Sequence, residues 1–148
     1  MARSDLASAA LRHVRDAEHL ANVGAHRSLD QALHLAGFAS ECIRKGCFDD
    51  ALADKALGHD IRDATDSVVA FLVTYDPDAA RYGLGADAAE LPERAEKWHP
   101  NVRYQRTGHA ASSIGATGVG AVVAEARRFV DERVLALFCD GVIGSDVL

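Results

Sequence analysis

The stretch SLDQALHLAGFASECIRKG, Ser28–Gly46, decides the fold. Leu29, Leu33, Ala36, Ser40 and Ile43 recur at helical spacing and mark one face. Leu35, Phe38, Ala39 and Cys42 fill much of the remaining surface. A helix that is apolar on most sides is the one its neighbours pack around. Ser28 supplies an N-cap and Gly46 a stop. Gly37 lies inside, at a cost of roughly 1 kcal/mol against alanine, which predicts a close helix crossing there. Glu41 and Lys45 stand at i and i+4 on the same helix. On a surface such a pair contributes only about 0.2–0.5 kcal/mol. In so apolar a helix the carboxylate is expected to be partly buried and to need a partner, because an unpaired buried charge is costly. Arg103 is the candidate partner.

The flanking sequence also reads as helix. Before it, Leu6, Ala10, Val14, Ala17 and Ala21 are spaced for a first helix that starts near Ser4-Asp5 and ends at Gly24. After it, Ile61, Ala64, Val68, Phe71, Leu72 and Tyr75 predict a third helix from about Asp60, a capping residue, halted by Asp76-Pro77-Asp78. Residues 79–97 are acidic and poor in large apolar groups, which predicts a loop holding one helical turn at most. A last long helix is expected from Ser112 to Phe138, with Val119, Val122, Ala126, Phe129, Val130, Leu137 and Phe138 as its stripe. No strand-like alternation and no internal repeat stand out. The expected fold is all-α: an up-and-down bundle of four main helices with short extra helical turns, in a single domain over residues 1–148.

Bulk composition narrows the function. The 148 residues suit one domain, for which roughly 100–200 is usual. Sixteen Lys and Arg against 22 Asp and Glu give a net charge of −6. A chain this acidic does not bind nucleic acid through bulk charge, so any RNA or nucleotide contact must be local. No apolar run approaches the roughly 18 residues of a membrane span, and the N-terminus lacks a signal-length apolar segment. Cys42, Cys47 and Cys139 form no CxxC pair and read as reduced thiols of a cytoplasmic protein.

Several tempting motifs fail on their chemistry. Gly115, Gly118 and Gly120, in GATGVG, resemble a phosphate-binding loop, but such a loop must follow a buried strand, and HAASSI precedes them. They read as small residues at a helix start. His13, His19, His26 and His34 are six, seven and eight residues apart, so no neighbouring pair has the i, i+4 spacing of a metal site. No metal and no cofactor are expected. Arg103 and His109 are a different case. Metal-independent RNA cleavage needs a base for the 2′-OH proton and a cation for the phosphorane, and His and Arg suffice if held together.

Four segments, in order, resemble the HEPN family (higher eukaryote and prokaryote nucleotide-binding domain). QALHLAGFASECIRKG, Gln31–Gly46, is similar to the family's second helix and is the most specific of them. DAEHLANVG, ALGHDI and WHPNVRY, beginning at Asp16, Ala56 and Trp98, resemble the first helix, the start of the third and the stretch before the final helix. The resemblance implies a dimeric helical bundle, often partnered by a minimal nucleotidyltransferase. Many members are ribonucleases with an Arg, four to six residues, then a His, a spacing that Arg103 and His109 satisfy. Others bind nucleotide or RNA without cleaving it. Catalytic members usually have a polar residue after the Arg, where this chain has Tyr104, so the binding branch is favoured. Glu41, Lys45, His59, Arg103 and Tyr104 are the expected ligand-binding residues. The alternatives are a metal-independent endoribonuclease using Arg103 and His109, and a structural dimerisation or interaction domain. Thr107-Gly108 predicts that His109 stands in a loop, because glycine disfavours helix.

Overall fold

The computed structural model describes residues 2–22, 24, 27–48, 71, 73–82, 101 and 104–148. Their elements are α1 (Arg3–Asn22), α2 (Leu29–Gly46), a 3-10 helix (Pro77–Tyr82), α3 (His109–Ser113) and α4 (Gly115–Cys139). No strand occurs among the described residues, so the all-α reading holds for them. No described helix is long and apolar enough to cross a membrane.

α2 is central. It packs along α1 and α4 and also meets α3. Its N-cap is Ser28, in extended conformation, whose side chain accepts from the Gln31 N–H at 3.4 Å. It buries Ala32, Ala36 and Ala39, and α1, packed along it, buries Ala7, Ala10, Ala17 and Ala21. Small side chains on both faces bring the two helices close together. Gly37 is buried, and a close approach lies at Gly46, where a Cβ would meet Leu6 Cβ at 3.4 Å and the Arg3 carbonyl at 3.6 Å. The Arg3 guanidinium closes this end of α2, donating from Nε to the Gly46 carbonyl at 2.9 Å and from Nη2 to the Cys47 carbonyl at 3.0 Å. Those are carbonyls that a helix C-terminus otherwise leaves without donors.

α4 completes the core with Val119, Val122, Val123, Ala126, Phe129, Val130, Val134 and Leu137. The expected stripe is buried as read, except that Phe138 is 38 % exposed. The expected single helix from Ser112 is in fact two, broken at Ile114–Gly115. Gly115 has φ +71, a left-handed conformation that side chains disfavour, and this ends α3 and redirects the chain. Gly141 does the same after α4 at φ +71, and Val142 then donates back to the Leu137 carbonyl at 2.9 Å. Ile143, unremarked in the sequence reading, is thereby buried in the core.

The expected third helix lies outside the described residues except for its end. Phe71 and residues 73–75 are helical, and the helix stops at Asp76 as read. Pro77 then opens the 3-10 helix, whose Tyr82 is buried and whose Arg81 reaches Asp140 at 3.0 Å.

Candidate functional site

The segment from Tyr104 to Ala110 turns sharply into α3. Tyr104 is 74 % exposed, and residues 105–109 are exposed with it. Gly108 is the N-cap of α3 at φ +88 and has no side chain with which to satisfy the helix's first N–H groups. A residue from another helix does so. The Asp30 carboxylate accepts from the Gly108 N–H through Oδ2 and from the Ala110 N–H through Oδ1, both at 2.7 Å. His109, between them, donates its own N–H to the Arg106 carbonyl at 3.0 Å. Ser112 donates from Oγ to the His109 carbonyl at 2.9 Å. His109 therefore opens a helix, correcting the expectation that it stands in a loop. Gly108 makes the turn that starts this helix, and Asp30 supplies the cap. Asp30 is the residue that sequence reading passed over. As an acidic residue two places after Ser28 it has an ordinary role in the first turn of α2, and nothing local marks its second role.

The other end of α2 holds a different arrangement. Glu41, Arg44 and Lys45 are buried, at 4 %, 3 % and 7 % exposure. Glu41 Oε1 and Lys45 Nζ pair at 3.0 Å. The partly buried pair is thus realised as a fully interior one. This end is distant from His109: Glu41 lies eleven positions after Asp30 on the helix, about 16 Å along the axis at about 1.5 Å per residue.

The thiols near this pair are poor nucleophiles. Burial, reinforced by the Glu41 carboxylate, pushes Cys42 up to about 11, with Lys45 and Arg12 opposing. Burial pushes Cys47 up to about 12 against the pull of Arg133 and Arg3. Both are protonated at neutral pH and so lack the thiolate that nucleophilic chemistry requires. His34 packs edge-on against Phe38 at 4.6 Å between ring centroids, and His13 lies 6.0 Å from the same ring. Burial lowers the His13 pKa, with Arg12 adding to the effect and Asp16 opposing it. These two histidines belong to an aromatic cluster. Among the described residues no three His, Cys, Asp or Glu side chains gather into a metal site.

Of the residues expected to form a site, Tyr104 and His109 share one exposed turn, while Glu41 and Lys45 lie in the interior. Arg103, the expected partner of Glu41, lies outside the described residues, as does His59. The glycines resolve into separate roles. Gly115 breaks the helix, Gly118 sits under the Ile114 side chain, and Gly120 faces open space. The chain matches no family model, no curated protein and no solved structure, so its likeness to HEPN domains rests on the sequence segments quoted above.

Proposed function

We propose that this chain is an HEPN-like RNA- or nucleotide-binding domain that presents the segment Arg103–His109 to its ligand. The observation that carries this reading is the turn itself. Tyr104, Arg106 and His109 stand exposed on a short stretch whose helical end is fastened to α2 by two 2.7 Å hydrogen bonds. An exposed tyrosine offers a stacking face to a base, and an arginine beside it offers charge to a phosphate. The net charge of −6 keeps that contact local. Salt dependence should therefore be shallow, with a slope of about 0.7 per phosphate engaged on a single strand. In this reading Glu41 and Lys45 act from the interior by holding the bundle around α2.

The proposed architecture is the four-helix up-and-down bundle, acting as a homodimer. Leu135 and Phe138, exposed on the last turns of α4, are apolar groups that a second copy would cover. A minimal nucleotidyltransferase is the proposed protein partner, and co-purification of the two chains tests it.

Fluorescence anisotropy with short single-stranded RNA, and thermal shift with nucleotides, test the ligand. Binding should be lost in Arg103→Ala and weakened in Tyr104→Ala. A nucleotide at one hundred times its Kd should stabilise the fold by about 2.7 kcal/mol. A wild-type protein that binds neither RNA nor nucleotide sinks the reading.

A metal-independent endoribonuclease is the second reading. What favours it is the exposure of His109 on the first turn of a helix, where an imidazole is free to take a 2′-OH proton while Arg103 stabilises the phosphorane. It requires RNA cleavage in the presence of chelator that disappears in His109→Ala.

A further inference from the structure

We propose that Asp30 is a positioning residue for the candidate site, setting where His109 stands by clamping the turn that carries it. The inference rests on the reading of Arg103–His109 as a ligand-facing segment. Within the turn, among the described residues, the N–H groups of Gly108 and Ala110 are met by no capping side chain of their own segment. Gly108 offers no capping side chain, and α3 has only five residues, too few to persist by its own hydrogen bonds. The restraint comes from 78 residues away in the chain. One carboxylate uses both oxygens, one on each side of His109 in sequence, so the backbone of the histidine is held between two fixed points.

Asp30 suits this work because of where it sits. It lies in the first turn of α2, whose own N-terminus favours a negative charge, and it receives the N-terminus of α3 from outside. Two helix N-termini thus converge on one carboxylate. Its anchorage is firm as well, because α2 is the central helix of the core. Any displacement of the clamp would move His109 relative to that core.

The geometry makes asparagine a sharp test. Asp30→Asn keeps the shape but replaces one acceptor oxygen with an NH2 group, which would face an N–H donor. Gly108→Ala perturbs the same turn from its other side. A Cβ there meets nothing within 4 Å, but φ +88 is a strained conformation for alanine. Three measurements on the full chain separate the outcomes: amide hydrogen exchange, the NMR signals of the His109 imidazole, and affinity for single-stranded RNA. In Asp30→Asn, exchange should accelerate at residues 108–113 while core amides of α1, α2 and α4 keep their protection. The His109 signals should shift or broaden, and RNA affinity should fall by roughly tenfold, the equivalent of one good charged hydrogen bond. Gly108→Ala should move all three the same way.

Unchanged exchange and unchanged His109 signals in both variants would overturn the clamp. Faster exchange with undiminished RNA affinity would overturn its role in positioning the site. Faster exchange and shifted His109 signals in a protein whose wild type binds no RNA would uphold the clamp and remove the RNA reading, so the two failures are distinguishable.

Discussion

The two ends of α2 handle charge in opposite ways. At its N-terminal end Asp30 turns outward and spends its carboxylate on the backbone of another segment, organising an exposed turn. At its C-terminal end Glu41 and Lys45 are buried and pair at 3.0 Å, while Arg3 from α1 closes the last carbonyls. The same helix therefore serves as a docking post at one end and as a sealed interior at the other. Its termini and faces differ in what they leave unsatisfied. The first turn attracts an anion and the last turn attracts a cation, and a buried mid-helix charge must find a partner or be neutralised.

The interior end is expected to be the more sensitive to mutation. Lys45→Met removes the buried cation that pairs with Glu41 at 3.0 Å and should cost about 3–5 kcal/mol in denaturant unfolding. The double variant Glu41→Leu/Lys45→Met should regain part of that loss, since it removes both charges of the pair together. A double variant as unstable as the single one would mean that the cost does not come from separating the two charges.

Arg3→Ala tests the seal. It removes two charged hydrogen bonds to the end of α2, from groups that are partly buried, and should cost about 2 kcal/mol. Hydrogen exchange should accelerate at the C-terminal end of α2 and leave the Asp30 end protected. Equal loosening at both ends would break the contrast between them.

The half-buried Cys42 and the buried Cys47 add a pH dependence at the interior end. Cys42 and Cys47 have folded-state pKa values raised from 9.0 to about 11 and about 12. For an acid so raised, the folded state disfavours the thiolate. The stability this contributes is fully present below pH 9 and is lost as pH climbs through 11 and 12, because the unfolded chain ionises first. Unfolding midpoints should therefore fall across that window. At pH 8 a thiol reagent should label the exposed Cys139 fastest and the half-buried Cys42 more slowly, while the buried Cys47 reacts only after unfolding. Rapid labelling of Cys47 in the native protein would contradict the sealed interior.

The smallest effect is expected at Gly120, which neither end of α2 concerns. It lies within α4 with nothing within 4 Å of a built Cβ, so Gly120→Ala should stabilise the protein by about 0.5–1 kcal/mol. RNA affinity should not change. A loss of binding in this variant would return the glycines of GATGVG to consideration as part of a ligand site.

Much of the helical layout was legible in the sequence. Ser28 caps α2 where capping chemistry placed it, while Gly46 ends the helix without a left-handed cap and Cys47 follows as C-cap; the stripe from Val119 to Leu137 is buried as its spacing requires. These features are local, since caps and periodicity act within a turn or two. The break before α4 was less legible. A glycine within a helical pattern is usually tolerated, and only the packing of α3 and α4 shows that Gly115 takes φ +71. The site was legible in part. The segment that carries Tyr104 and His109 was singled out by resemblance, but its anchorage was not.

The sequence by itself determined that the described chain is helical, that α2 lies at its centre, and that bulk charge offers no general attraction for nucleic acid. The reasons are short-range or additive: side-chain periodicity, capping propensity and the sum of charges. Tertiary structure alone decided that Glu41 and Lys45 are sealed inside, about 16 Å of helix away from Asp30, and that Asp30 holds the turn bearing His109. A hydrogen bond that spans 78 residues leaves no periodic trace in a sequence. It exists because packing brings the start of one helix to the start of another, where unpaired N–H groups meet a carboxylate.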